Sequence, residues 1–313
     1  MNWIIGVERL QGVFVDGCVV AMGVFDGVHR GHAVLLHAAV RWANAHALPA
    51  VALTFDPHPA AVLAPDHSPP MLCTLPHRIE RLHALGIDYV VVQPFTREFS
   101  QLSAEQFIEQ VLVHGLNARA VVVGDDFRFG HKRGGDVHTL REAGAFEVIP
   151  VAGVVDSEGE RISSTRIRAL VQAGQVEHAA LLLGEPLHWT GIVVRGDQRG
   201  RTLGYPTANL VPVAPLITPA EGVYACRASL GSAHYPAAVS VGTPPMFENA
   251  RGRVEAYLID FPNTDLYGRV LTLQFLKRLR SQQQFESIAA LQRQMADDIA
   301  HARQIAQEVE SVR

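Results

Sequence analysis

The first half of the chain alternates short apolar runs with amphipathic stretches. "CVVAMGVF" (18–25), "PAVALTF" (49–55), "DYVVVQPF" (88–95), "RAVVVG" (119–124) and "FEVIPV" (146–151) are continuous and valine-rich. Strands covered on both faces have this pattern. Between them, "HAVLLHAAVRWANAH", "LPHRIERLHALG", "SAEQFIEQVLVHG" and "DVHTLREAG" carry helical spacing. The third opens on Ser103 with Gln106 three residues on, a capping-box signature. Strand–helix alternation of this kind predicts a doubly wound parallel sheet. Two more helical pieces, "SSTRIRALVQAG" and "QVEHAALLLG", close this half at Gly184.

From His188 the pattern changes. Six strand-like runs follow without a readable helix: "HWTGIVVRG", "TANLVPV", "GVYACRASL", "YPAAVSVG", "RVEAYLIDF" and "RVLTLQFLKRL". They predict a small antiparallel β-barrel. A final helix begins near Ser287, with Ile288, Leu291, Met295, Ile299, Ala302 and Ile305 on one stripe. The expected domains are therefore 1–184, α/β, and 185–313, β-barrel with a C-terminal helix.

Composition narrows the functional classes. The 313 residues are 48% hydrophobic, enough for two cores, and a formal charge of −4 gives no footing to a nucleic-acid binder. Three scattered cysteines form neither a disulfide framework nor a zinc spacing, which fits a reducing cytoplasm. Neither a signal-peptide h-region nor an apolar run of about 20 residues is present. Small-molecule chemistry is expected, with no nucleic-acid or membrane partner, from a monomer or weak homo-oligomer.

One candidate site follows the first predicted strand. "GVFDGVHRGH" holds three glycines and two histidines where strand meets helix. Ligands of open parallel sheets bind there, and a helix N-terminus favours phosphate. Gly23, Gly27 and Gly31 would let backbone approach a phosphate. His29 and His32, spaced i, i+3, would share one face and donate to phosphate oxygens. A zinc pair or a purely structural turn are the alternatives. No G-x-x-x-x-G-K-[ST] occurs, which excludes a P-loop, and no G-x-G-x-x-G.

A second candidate lies in the barrel half. "RGDQRGRTLGYPTAN" (Arg195–Asn209) has the glycine and arginine of a loop over polyphosphate, or of a solvated hairpin. Thr207 and Asn209 alternate onto one strand face and offer hard oxygen donors suited to Mg²⁺ or phosphate. Glu255 is a lone carboxylate in "VEAYLIDF", on one face with Tyr257 and Ile259.

The first motif resembles the nucleotidylyltransferase signature. In its form here it is similar to the bacterial bifunctional riboflavin kinase/FMN adenylyltransferases, or FAD synthetases. "TFDPHP" (54–59), "GDDFRFG" (124–130), "ISSTRIR" (162–168), "GRTLGYPTAN", "EGVYA" and "DLYGRVLTLQFLKRLR" agree, so the resemblance spans nearly the whole chain. It implies phosphorylation of riboflavin to FMN in the barrel and adenylylation of FMN to FAD in the α/β domain. Both reactions would consume ATP with Mg²⁺. It implies nucleotide contacts from Gly23, Phe25, Asp26, Gly27, His29, Gly31, His32, His58, Asp126, Ser164, Thr165 and Arg168. In the barrel it implies them from Gly204, Thr207 and Asn209, the last two also as metal ligands. Flavin contacts would come from Pro57, Pro59, Phe127 and Tyr205, and Glu255 would be the kinase general base. Two rivals remain: a transferase for another phosphate ester with an inert barrel, and a non-catalytic flavin binder. One departure stands out. Where the family reads G-T-N-P-T-F, this chain has "GTPPMF" (242–247), which exchanges an amide and a hydroxyl for Pro244 and Met246.

Overall fold

The structure is a computed structural model that describes residues 2–10, 12–196, 204–242, 253–262 and 264–311. The chain forms two compact units, Met1–Pro69 with Leu75–Ser163, and Pro70–Thr74 with Ser164–Arg313.

The first unit is built on a parallel sheet of β1 (Asn2–Ile5), β2 (Cys18–Met22), β3 (Ala50–Asp56), β4 (Tyr89–Pro94), β5 (Ala118–Gly124) and β6 (Glu147–Val151). Its strand order is β1-β4-β3-β2-β5-β6. The continuous apolar runs are explained by two cores, one per face, between which successive residues alternate. Val20, Met22, Val51, Leu53, Val121 and Val123 enter one core. Val19, Ala21, Ala50, Ala52, Ala120 and Val122 enter the other.

Helix α1 (Arg30–Ala45) buries Leu35, Leu36, Ala39 and Ala43 in the second core. Each leucine so buried contributes about 1.5–3 kcal/mol. Helix α3 (Leu75–Ala84) adds Ile79 and Leu82, after the short α2 (Pro59–Leu63). On the opposite face lie α4 (Ala104–Phe107) and α5 (Val137–Glu142). The Ser103–Gln106 capping box is present, with Ser103 Oγ accepting from the Gln106 amide at 3.2 Å and Gln106 Oε1 accepting from the Ser103 amide at 2.9 Å. The expected helix over 103–115 changes winding, however: Ile108–Gly115 is π-helical. The edge strand β1 is a further element that the sequence pattern does not predict.

In the second unit, α6 (Ser164–Gln172) and α7 (Val176–Leu183) precede six strands. These are β7 (Leu187–Val194), β8 (Ala208–Pro212), β9 (Gly222–Leu230), β10 (Ala233–Gly242), β11 (Arg253–Leu258) and β12 (Val270–Arg280). They close into an antiparallel barrel in the order β10-β11-β8-β7-β12-β9, filled by Trp189, Tyr224, Leu273 and Phe275. Helix α8 (Ile288–Ser311) lays Ile299, Ala302 and Ile305 on Tyr257, Ile259 and Leu279. Ile288, expected on that stripe, is 67% exposed. Asp298 joins the buried face instead, because Arg280 meets its carboxylate in a fork at 2.7–3.1 Å.

Both expected architectures are therefore observed, a doubly wound parallel sheet followed by a small barrel with a C-terminal helix.

Candidate active sites

The strand order reverses at β2, which is flanked by β3 and β5. Met22 pairs with Leu53, and Ala21 with Val122. The carboxyl ends of these three neighbours therefore bring "GVFDGVHRGH", "TFDPHP" and "GDDFRFG" to one edge of the sheet, where such folds bind ligands.

Backbone strain concentrates in the first motif. Phe25 (φ 52°) and Val28 (φ 40°) both adopt left-handed backbone, as does Gly27 (φ 79°). For Phe and Val this is uncommon and costs about 1–3 kcal/mol each. Full burial of both side chains, at 1% exposure, holds them there. The turn delivers His29 to the N-cap of α1, where its Nδ1 accepts from the His32 amide at 3.2 Å. In the neutral ring this acceptor role puts the proton on Nε2.

The His29 and His32 rings stack at 3.6 Å, and Phe25 meets His32 edge-on at 5.3 Å. Burial first, then the electrostatic influence of His29 and of Arg78, holds the His32 imidazole well below its ordinary pKa. His32 is thus a neutral ring at pH 7, and its Nδ1 is buried with no partner among the described residues. Asp26 is also buried, at 2% exposure.

The glycines serve this packing as well as backbone approach. A Cβ on Gly23 would lie 3.0 Å from the Phe25 ring, and one on Gly31 at 3.0–3.1 Å from the His29 imidazole. Gly31→Ala should therefore displace His29 and slow, about tenfold, the adenylylation that the resemblance implies, with the implied riboflavin phosphorylation unchanged. Steady-state assays of both reactions on the same preparation check this.

At the end of β3, His58 caps α2, its Nδ1 accepting from the Ala60 amide at 3.1 Å, with Pro57 exposed and Pro59 half-buried. Beyond β5, the exposed Asp126 pairs with Arg161 at 2.8 Å. Phe127 stacks on Phe129, and ring contacts continue through Phe107 and Phe99 to Phe55, next to Asp56. Arg78, which the sequence did not single out, reaches this edge from α3 and donates to the Phe55 carbonyl at 3.0 Å. Ser164, Thr165 and Arg168 open α6 in the second unit, where Arg168 Nε donates to the Pro70 carbonyl at 2.7 Å.

The barrel gathers the second set. Asn209 stands directly opposite Glu255 in the β8–β11 register. Thr207 Oγ1 donates to Glu255 Oε2 at 3.3 Å, and Tyr205 meets Tyr257 edge-on at 5.6 Å. These are diagonal pairs on one face, as the alternation predicts. Asn209 is 7% exposed, and its Oδ1 is buried with no partner among the described residues. A Cβ at Gly196 would overlap the Asn209 carboxamide. Gly204 takes φ 87° at the turn before Tyr205.

Next to this face lies a cleft of about 560 Å³ bounded by Thr207, Tyr257, Phe261, Asp265 and Tyr267. Arg195 lies over the Tyr267 ring at 5.5 Å. Residues 197–203 of the glycine–arginine loop and the departure at Pro244 and Met246 lie outside the described residues.

Comparison with known proteins bears on both sets. A family model described as FAD synthetase matches residues 14–166, and one described as riboflavin kinase matches 183–306. A bifunctional riboflavin kinase/FMN adenylyltransferase of Escherichia coli K12 is 38% identical over 308 residues, covering 97% of each chain. That of Bacillus subtilis 168 is 37% identical over 289 residues, covering 90% of each. A solved structure from Streptococcus pneumoniae, described as a macrolide-efflux protein, superposes with a TM-score of 0.86. It is 33% identical and covers 97% of this chain and 99% of its own. Among the described residues here, no helix is long and apolar enough to cross a membrane.

Proposed function

The chain belongs to the bifunctional riboflavin kinase/FMN adenylyltransferases, and on that premise we propose which of its residues carry each reaction. It phosphorylates riboflavin to FMN in its C-terminal domain and adenylylates FMN to FAD in its N-terminal domain, with ATP as co-substrate. We assign adenylyl transfer to residues 1–184 and the kinase to 185–313. The buried cysteines form no disulfide among the described residues, which fits a cytoplasmic enzyme; burial pushes the Cys18 thiol up to about 12.

In adenylyl transfer, an FMN phosphate oxygen attacks the α-phosphorus of ATP as the bond to the β-phosphate oxygen breaks. The nucleophile is already an anion and needs no base. The demand is to hold two anions together and stabilise the departing pyrophosphate. The proton on His29 Nε2 and the neutral imidazole of His32 supply donors, with the backbone N–H groups around Gly27 and Gly31. Donors fixed in place before reaction are worth more than mobile ones. In the first unit, Asp126 and His58 are assigned to ATP, and Pro57, Pro59 and Phe127 to the flavin.

In the kinase, the attacking group is a ribityl hydroxyl whose proton must leave as the P–O bond forms. Glu255 is assigned as the base that accepts it, with Tyr205 against the flavin and Gly204 at the nucleotide loop. Asn209 and Thr207 suit a Mg²⁺ ion, since a buried, unpartnered carbonyl oxygen and a hydroxyl are hard donors. When bound, Mg²⁺ neutralises charge on the ATP phosphates.

The observation that carries this assignment is the Thr207–Glu255 contact at 3.3 Å beside the orphaned Asn209 Oδ1. Asn209→Ala should raise the Mg²⁺ concentration giving half-maximal riboflavin phosphorylation about tenfold or more. FAD formation from supplied FMN should keep its Mg²⁺ dependence. An unchanged Mg²⁺ titration of the kinase would remove Asn209 from the metal site.

A further inference from the structure

Helix α3 carries a cation where its apolar stripe calls for hydrocarbon. Leu75, Arg78, Ile79 and Leu82 fall at i, i+3, i+4 and i+7, the spacing of one buried face. Arg78 is 1% exposed. Its Nη1 donates to the Phe55 carbonyl at 3.0 Å and to the Thr54 hydroxyl at 3.3 Å. Thr54, itself fully buried, donates onward to the Val24 carbonyl at 2.8 Å. One guanidinium thus ties the end of β3 to the loop that leaves β2, one residue before the left-handed Phe25.

The remainder of the group is uncompensated. Its Nε is buried with no partner, and no carboxylate pairs with it among the described residues. A buried charge without a counter-charge is strongly unfavourable, and a well-packed apolar side chain at such a position is often neutral or stabilising. A purely structural tie therefore needs no arginine here. The charge sits at the site by geometry, since Nη1 reaches the carboxyl end of β3 and, through Thr54, the loop that carries His29 and His32. It also contributes, after burial and His29, to the lowered pKa of the His32 imidazole. What arrives at that edge during catalysis is anionic: the phosphates of ATP and of FMN.

We propose that Arg78 is a positioning residue for adenylyl transfer. It holds Thr54 and Val24, and through them the loop carrying His29 and His32, and its buried positive charge is completed by the substrate phosphates. Arg78 reaches the substrates only through the field it sets up and the loop it fixes. The inference rests on the reading that places adenylyl transfer at His29 and His32.

The test uses full-length Arg78→Met and Arg78→Lys, with FAD formation from FMN and Mg-ATP resolved into kcat and KM. Riboflavin phosphorylation by the same preparations reports folding of the barrel, and thermal unfolding reports the first unit. Arg78→Met removes the charge and keeps apolar bulk. It should lower kcat for FAD formation about 10²-fold, the loss of one fixed electrostatic element, and raise KM for FMN. Kinase activity and melting temperature should hold.

Arg78→Lys keeps the charge and should stay within about tenfold of wild type. A folded Met variant with wild-type kinetics overturns the proposal. So does a Lys variant impaired as deeply as Met, since shape alone would then explain both. If the Met variant does not fold, the Lys variant decides: a rate within tenfold supports the charge, and a deeper loss contradicts it. His32→Ala separates the two readings. Normal FAD formation there removes the site itself, whereas a slow His32→Ala beside a normal Arg78→Met removes only the role of Arg78.

Discussion

Glu255→Gln should cut FMN formation by about 10²–10⁴-fold, the usual contribution of a placed general base. Riboflavin phosphorylation transfers a phosphoryl group to a primary alcohol, and the alcohol proton must be accepted as the bond forms. Glutamine keeps the size and hydrogen bonding of glutamate but cannot take a proton. The side chain projects from β11 between β8 and β10, so its position is set by ladders on both sides. Thr207 touches it, and Asn209 stands opposite. The loss should fall on kcat, with KM for riboflavin nearly unchanged, since the interaction lost belongs to the transition state. Adenylylation of supplied FMN should proceed at the wild-type rate. Rapid-quench measurement of FMN from riboflavin and Mg-ATP checks this. A wild-type rate in the Gln variant would make Glu255 an ordinary strand residue.

His32→Ala should slow FAD formation by about 10²–10³-fold, the cost of deleting one fixed donor to developing charge. Burial, His29 and Arg78 all depress the pKa of this imidazole. A residue whose pKa lies well below its ordinary value stays neutral as pH falls through 7 and 6, so it donates without titrating. The rate of FAD formation should therefore be flat across that range with respect to His32. FMN formation by the variant should be unaffected. His29→Ala carries a second penalty, because α1 also loses its N-cap acceptor, typically worth about 1 kcal/mol. The two variants should accordingly separate by thermal unfolding, His29→Ala being the less stable.

The architecture was legible because both periodicities are strongly written. Valine-rich runs mark strands buried on two faces, and the disappearance of helical spacing after Gly184 marks the barrel. Strand β1 has no sequence signature because it is a four-residue edge with Trp3 and Ile5 exposed, which gives no alternation. The π-helical winding of Ile108–Gly115 leaves no signature in residue spacing. Within the site, the motif positions were visible as glycines and histidines. The strain was not: it sits on Phe25 and Val28, whose burial only the packed core imposes. Arg78 was hidden for a related reason. A cation in a surface-like helix passes as solvated until the fold shows which stripe faces inward, although its spacing with Ile79 and Leu82 already placed it there. Glu255 lies far from Thr207 and Asn209 in the chain and meets them only through strand register.

Two reactions are assigned to two separate constellations of one chain. The most direct measurement supplies wild type, His32→Ala and Glu255→Gln with riboflavin and Mg-ATP and resolves riboflavin, FMN and FAD over time. Wild type should pass through FMN to FAD, with ADP released in the first step and pyrophosphate in the second. His32→Ala should accumulate FMN, and Glu255→Gln should leave riboflavin unconverted yet form FAD when FMN is supplied. Loss of FMN formation in folded His32→Ala, or failure of folded Glu255→Gln to form FAD from supplied FMN, would contradict the division into two sites.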